Sequence, residues 1–125
     1  MEENMKRKRK DIEIKFYEEL VKARPNFIHA LISLGDAYTR KGFYQEGLAI
    51  DKKLAHLKPD DPIIRYNLAC SLSLLGKPEE SLEELKEAIF LGYNDTGYIF
   101  QDPDLENVRT HPLFKNFLAT IKKLK

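Results

Sequence analysis

The chain has 125 residues, 42% hydrophobic and 33% charged, with a formal net charge of +1. That is the composition of a globular protein, not of a disordered or fibrous one, and a charge so near zero exerts no long-range pull toward nucleic acid or membrane. The one cysteine, Cys70, excludes an internal disulfide and points to a reducing compartment, the cytoplasm.

Residues 1–11 form a basic N-terminal segment with the run Lys6, Arg7, Lys8, Arg9, Lys10. Such a run can bind nucleic acid or an acidic partner. A solvated helix start explains it as well, and nothing further along extends the patch, so nucleic acid is disfavoured. No secretory signal is expected, because Asp11, Glu13, Lys15, Glu18 and Glu19 interrupt the apolar stretch that one would need after the basic run. No apolar run approaches the ~20 residues of a membrane span.

A helix is expected from Asp11 to Ala23. Ile12, Phe16 and Leu20 lie on one flank and Ile14, Tyr17 and Val21 on the next, a wider apolar arc than a simple surface helix needs. Arg24-Pro25 ends it. The next helix runs from Asn26 to about Arg40 with Leu31, Leu34, Gly35 and Tyr38 on its core face, and Gly42 stops it. Another spans Tyr44 to Leu57, with Leu48, Leu54, Ala55 and Leu57 apolar. Asp61 is a good N-cap and Pro62 a good first residue for a helix to about Leu75, stopped by Gly76. Pro78, Glu79 and Glu80 open one more, to Leu91 and Gly92. No period-two strand signal is present. Pro25 recurs as Pro59, Leu34 as Leu68, Gly42 as Gly76 and Leu48 as Leu82, a constant shift of 34. A fixed period of that length means stacked helical hairpins.

The third unit then fails. Asp95 and Thr96 start a short helix cut by Pro103, with Tyr93, Tyr98 and Phe100 expected in the core. Asp102-Pro103 caps another short turn. Thr110 or His111 with Pro112 opens a last helix whose apolar face is Leu113, Phe114, Phe117, Leu118, Ile121 and Leu124. One apolar and one charged face is what the end of a helical stack requires.

Leu31, Leu34, Gly35, Tyr38, Gly47, Asp51 and Pro59 resemble the tetratricopeptide repeat pattern W-x2-L-G-x2-Y, A-x3-F, P, with the tryptophan, alanine and phenylalanine replaced. A looser copy comes next in Leu68, Ala69, Leu72, Ser81, Leu85 and Ala88. The tail, DPDLENVR then HPLFKNFL, resembles the endings of small bacterial repeat proteins with a C-terminal capping helix. The resemblance implies an all-α tetratricopeptide-like solenoid, an α-α superhelix of stacked antiparallel helix pairs with a C-terminal cap. Residues 12–25 would be the second helix of an incomplete repeat, 28–61 and 62–95 full repeats, and 96–125 the cap of a single domain covering 1–125.

It also implies a non-enzymatic module for protein–protein interaction, a scaffold or adaptor in a larger complex. The peptide or protein ligand would lie on the inner face of the first helices. By register that face is His29, Ile32, Asp36 and Arg40, then Ile63, Tyr66, Asn67, Cys70 and Ser73. Family members that clamp a C-terminal carboxylate use lysine, arginine and asparagine there. Here Ile32, Tyr66, Asp36 and Cys70 replace them, and Asp36 would repel a carboxylate. Ile63 and Tyr66 suggest an apolar anchor instead.

No cofactor or metal is implied: His56 and His111 have no partner at ligand spacing, His29 reads as a lone surface side chain as readily as a ligand contact, and Cys70 has no nominated base. Glu79, Glu80, Glu83, Glu84 and Glu87 read as a solvated face. An alternative to peptide binding is a self-associating piece, a homodimer through residues 12–21, where one apolar flank lacks a covering helix. A monomer whose own long side chains cover that flank is the competing expectation.

Overall fold

The computed structural model describes residues 11–124, and the basic run Lys6 to Lys10 lies outside them. Several of the helix ends have a local cause. Helix α1 (Ile12–Ala23) is capped by the Asp11 carboxylate, which accepts from the Ile14 N–H at 3.0 Å. Helix α2 (Ile28–Arg40) is followed by Gly42, α4 (Pro62–Leu74) by Gly76 and α5 (Pro78–Phe90) by Gly92. All three glycines have positive φ, 86°, 73° and 115°. The residue after each donates back across the helix end: Phe43 to the Tyr38 carbonyl, Lys77 to Leu72 and Tyr93 to Ala88. That six-to-one bond satisfies carbonyls a helix end would otherwise leave open. Asp61 caps α4 by accepting from the N–H groups of Ile63 and Ile64, with Pro62 in the first turn. Helix α3 (Tyr44–Leu57) lies between α2 and α4.

The helices pack in sequence, α1 on α2, α2 on α3, α3 on α4 and α4 on α5, and no strand occurs among the described residues. The core is correspondingly serial. Ile14, Leu34, Ala37, Tyr38 and Phe43 fill the first interface. Leu31, Leu48, Leu54, Ala55, Ile64, Leu68 and Leu72 fill the next. Each layer touches only its neighbours, as expected of a stacked array. Two glycines let α2 and α3 close on each other. A Cβ on Gly35 would stand 3.1 Å from Ile50 Cγ2 and 3.2 Å from Asp51 Oδ1, and one on Gly47 would stand 2.7 Å from Thr39 Oγ1.

Beyond α5 the chain crosses back over α4. A 3-10 helix (Thr96–Phe100), a second (Pro103–Leu105), the short α6 (Glu106–Arg109) and α7 (Phe114–Leu124) make up this return. Their Ile99, Leu105, Val108, Phe117 and Ile121 complete a third core layer with Tyr66, Leu82 and Leu85. Arg109 donates to the Ile99 and Asp102 carbonyls, and Asn107 to the Ser73 carbonyl, which fastens the segment to α4.

Two core expectations change here. Tyr98 and Phe100 stay 43% and 51% exposed while Ile99 between them is buried, because a five-residue 3-10 helix can turn only one narrow edge inward. Leu113 precedes α7 and remains exposed, whereas Phe117 and Ile121 are buried and Phe114 and Leu118 pack beside them. The side chain of Leu124 is not among those described.

At the other end, α1 turns Ile14 fully inward with Tyr17 and Val21 alongside, while Ile12 is 87% and Phe16 58% exposed. Polar ties hold α1 to α2: Tyr38 to Glu18, Lys41 to Asp11, and Arg40 to Glu13 at 2.5 Å.

Candidate functional site

A groove of about 420 Å³ opens between α2, α4 and the returning C-terminal segment. That size is in the range of ligand-binding clefts. Ile32 and Asp36 come to it from α2, Asn67 from α4, and Tyr98 and Asp104 from the returning segment. Asp51, on α3, forms part of the floor and is 6% exposed. The Ser71 hydroxyl donates to Asp51 Oδ2 at 2.5 Å. Burial, with the Asp36 charge adding to it, pushes the Asp51 carboxyl from its ordinary 3.8 up to about 6, against the pull of Ser71.

Deeper in, the Tyr66 hydroxyl donates to Asp102 Oδ2 at 2.5 Å, and the Cys70 thiol points to the same oxygen at 3.6 Å. Asp102 Oδ1 accepts from the Asp104 N–H at 3.0 Å. The Tyr66 ring stacks on Tyr93, centroids 4.4 Å apart and 6° from parallel. Asp104 is pushed upward by burial and by the Asp102 charge.

The nine residues assigned to the inner face part company here. Ile32, Asp36, Tyr66, Asn67 and Cys70 line the groove; His29, Arg40, Ile63 and Ser73 do not. His29 and Ile63 are exposed elsewhere, and Arg40 is bonded to Asp36 and Glu13. Tyr66, Cys70 and Ser73 are 6%, 7% and 0% exposed. Tyr66, expected to offer an apolar anchor, lines the groove but is almost fully buried. The C-terminal segment covers that end of α4 and takes the tyrosine into the core, its hydroxyl satisfied by Asp102. Asp102, expected to cap a turn, does so and also reaches this network.

Asp51, Ser71, Tyr98 and Asp104 were missed as groove residues. A sequence signal existed for one of them, since Asp51 occupies the repeat position where a phenylalanine is usual. Tyr98 and Asp104 face the groove only because a distant segment returns over α4.

The setting of Cys70 disfavours its thiolate. Burial first, then the Asp102 and Asp104 charges, push its thiol far above the usual range, whereas a reactive cysteine needs a cationic surrounding. The ligand atoms of Cys70, Asp102 and Asp104 lie within 4.8 Å of one another. A metal there would have to displace the three donors that already occupy Asp102.

No family model matches the chain. Over 90 residues, 66% of its length, the chain is 34% identical to a chloroplastic protein of Arabidopsis thaliana, of which it covers 27%. Over 55 residues, 44% of its length, it is 38% identical to the Arabidopsis thaliana "TPR repeat-containing thioredoxin TTL4", of which it covers 8%. The chain thus spans about a quarter of the first relative and less than a tenth of the second. The serial helix pairs and the likeness to a TPR-repeat protein agree. The fold is a tetratricopeptide-like α-solenoid. No helix among its described residues is long and apolar enough to cross a membrane.

Proposed function

We propose that this tetratricopeptide-like chain is a non-enzymatic, cytoplasmic protein–protein interaction module that holds a peptide or protein segment in its concave groove, as a scaffold or adaptor in a larger complex. The observation that carries this is the groove itself. The first helices of two successive hairpins, α2 and α4, contribute Ile32, Asp36 and Asn67 to one 420 Å³ cleft. In a curved stack the first helices line the inner side, and such clefts hold extended segments by a few pockets and polar contacts. A larger cleft of about 730 Å³ lies between α3, α4 and α5. Arg65 on its wall is already paired with Glu84 at 3.2 Å.

The test begins with recovery of a partner from the native source on the full chain, followed by calorimetry with the purified partner. Asn67→Trp fills the groove from an exposed position and should weaken binding by about tenfold or more, ~1.4 kcal/mol, with the melting temperature unchanged. An affinity indifferent to Asn67→Trp would refute groove binding.

A second reading has its own observation. Ile12 and Phe16 leave one flank of α1 bare among the described residues, and contiguous apolar patches mark contact sites. A twofold homodimer through residues 12–21 would cover it.

A further inference from the structure

The groove is acidic in a way that selects its occupant. Asp36, Asp51, Asp102 and Asp104 all line it, and no lysine, arginine or histidine does so among the described residues. Asp102 is satisfied by Tyr66, Cys70 and the Asp104 N–H. The other three are not. Asp51 is 6% exposed, and while Oδ2 receives Ser71, Oδ1 receives no hydrogen bond from the described residues. The Asp104 carboxylate is half-buried and likewise accepts none from them, and Asp36 commits only Oδ2, to Arg40. The Asp36 side chain is 63% exposed and stays hydrated, whereas an acceptor position left without a donor costs most for Asp51 and Asp104, which are partly withdrawn from water. Each also sits near a like charge, Asp51 near Asp36 and Asp104 near Asp102, which raises that cost.

We propose that the groove accepts a lysine or arginine side chain of the bound segment, which donates to the free oxygens of Asp51, Asp36 and Asp104. This rests on the groove-binding function proposed above and names the chemistry of the occupant. Charge complementarity selects a cation. Among the described residues only Cys70, Asp102 and Asp104 bring ligand atoms close enough together for one small ion, and Asp36 and Asp51 are outside that trio. A long side chain with several donors spans carboxylates that a single ion does not: lysine offers three N–H groups and arginine five. The same groove supplies a surface for the methylene stem. Ile32 is 39% and Tyr98 43% exposed on its wall, apolar cover of the kind such stems use, and a tyrosine face also attracts a cation.

The probe is an array of acetylated, amidated nonapeptides with random flanks and a centre fixed as arginine, lysine, glutamine, norleucine or glutamate. It is read with the fluorescently tagged full chain, and affinities of the hits are measured by anisotropy. Arginine- or lysine-centred peptides should bind about tenfold tighter than the glutamine and glutamate versions. The double variant Asp36→Asn, Asp104→Asn should erase that preference while its melting curve stays close to the parent's, and Asn67→Trp should abolish binding by every peptide. A glutamine, norleucine or glutamate preference that Asn67→Trp abolishes would overturn the cationic occupant and leave groove binding standing. Binding insensitive to Asn67→Trp, or no binding by any peptide at millimolar concentration, would overturn the groove itself and the inference with it.

Discussion

Asp51→Asn should make the protein more stable at neutral pH, by an amount that grows with pH. In the folded chain burial and the nearby Asp36 hold the Asp51 carboxyl at about 6, against 3.8 for the free group. Below both values the carboxyl is protonated in either state and adds no pH dependence. Between them the native state binds the extra proton, so stability falls as pH rises. Above about 6 the charge sits in the folded interior, and the full penalty is present. A pKa unit corresponds to about 1.4 kcal/mol, so a gap of about two units amounts to ~3 kcal/mol at neutrality. Asparagine keeps the shape, can accept from Ser71 with its own oxygen, and cannot ionise. The assay is urea unfolding followed by far-UV circular dichroism at several pH values from about 4 to 7.5. At typical slopes of ~1–3 kcal/mol per molar urea, the midpoints should diverge by about 1 M or more across that range. Any fixed packing difference between acid and amide cancels in this slope. So do the other titrating carboxyls: Asp104, which burial and Asp102 raise, and Asp11, which its hydrogen bond with Lys41 lowers. Parallel stability curves for the two proteins would refute the placement of a charged, buried Asp51.

Gly35→Leu should destabilise by ~1–3 kcal/mol or more, because even a Cβ would crowd Ile50 and Asp51 at 3.1 and 3.2 Å; an unchanged melting temperature would mean that α2 and α3 do not meet there. Tyr66→Phe keeps the stacking on Tyr93 but removes the donor to Asp102, so thermal unfolding should report a loss of ~1–3 kcal/mol. Cys70 should react with an aromatic disulfide reagent far more slowly in the native protein than in urea, since it is 7% exposed and its thiol is held protonated; equal rates would place it at the surface. For the dimer, sedimentation at tens of micromolar should show an associating species that Phe16→Glu dissociates, and a monomer indifferent to that change rules it out.

Much of this molecule was legible from single residues because the causes were local. Gly42, Gly76 and Gly92 stop helices through their own left-handed φ, Asp11 and Asp61 start them by bonding N–H groups two or three residues on, and the 34-residue recurrence made those local events into a stack. The helix Tyr44–Leu57 falls where the spacing placed it. The sequence also left α1 with two apolar flanks, and it offered nothing to choose between them.

Tertiary contact made that choice, turning Ile14 inward and Ile12 and Phe16 out. It also remade the inner face. Tyr66 lies 36 residues from Asp102 and Cys70 lies 32, yet the returning segment joins all three. Register alone counted Tyr66, Cys70 and Ser73 as available to a ligand, because helical periodicity tells which side chains share a face and not what lands on it. The acidity of the groove arose in the same way. Its aspartates come from α2, α3 and the C-terminal segment and act together only where those elements converge. Short-range sterics and hydrogen bonding determine where each helix runs, whereas burial and electrostatics depend on neighbours that the chain supplies from far away.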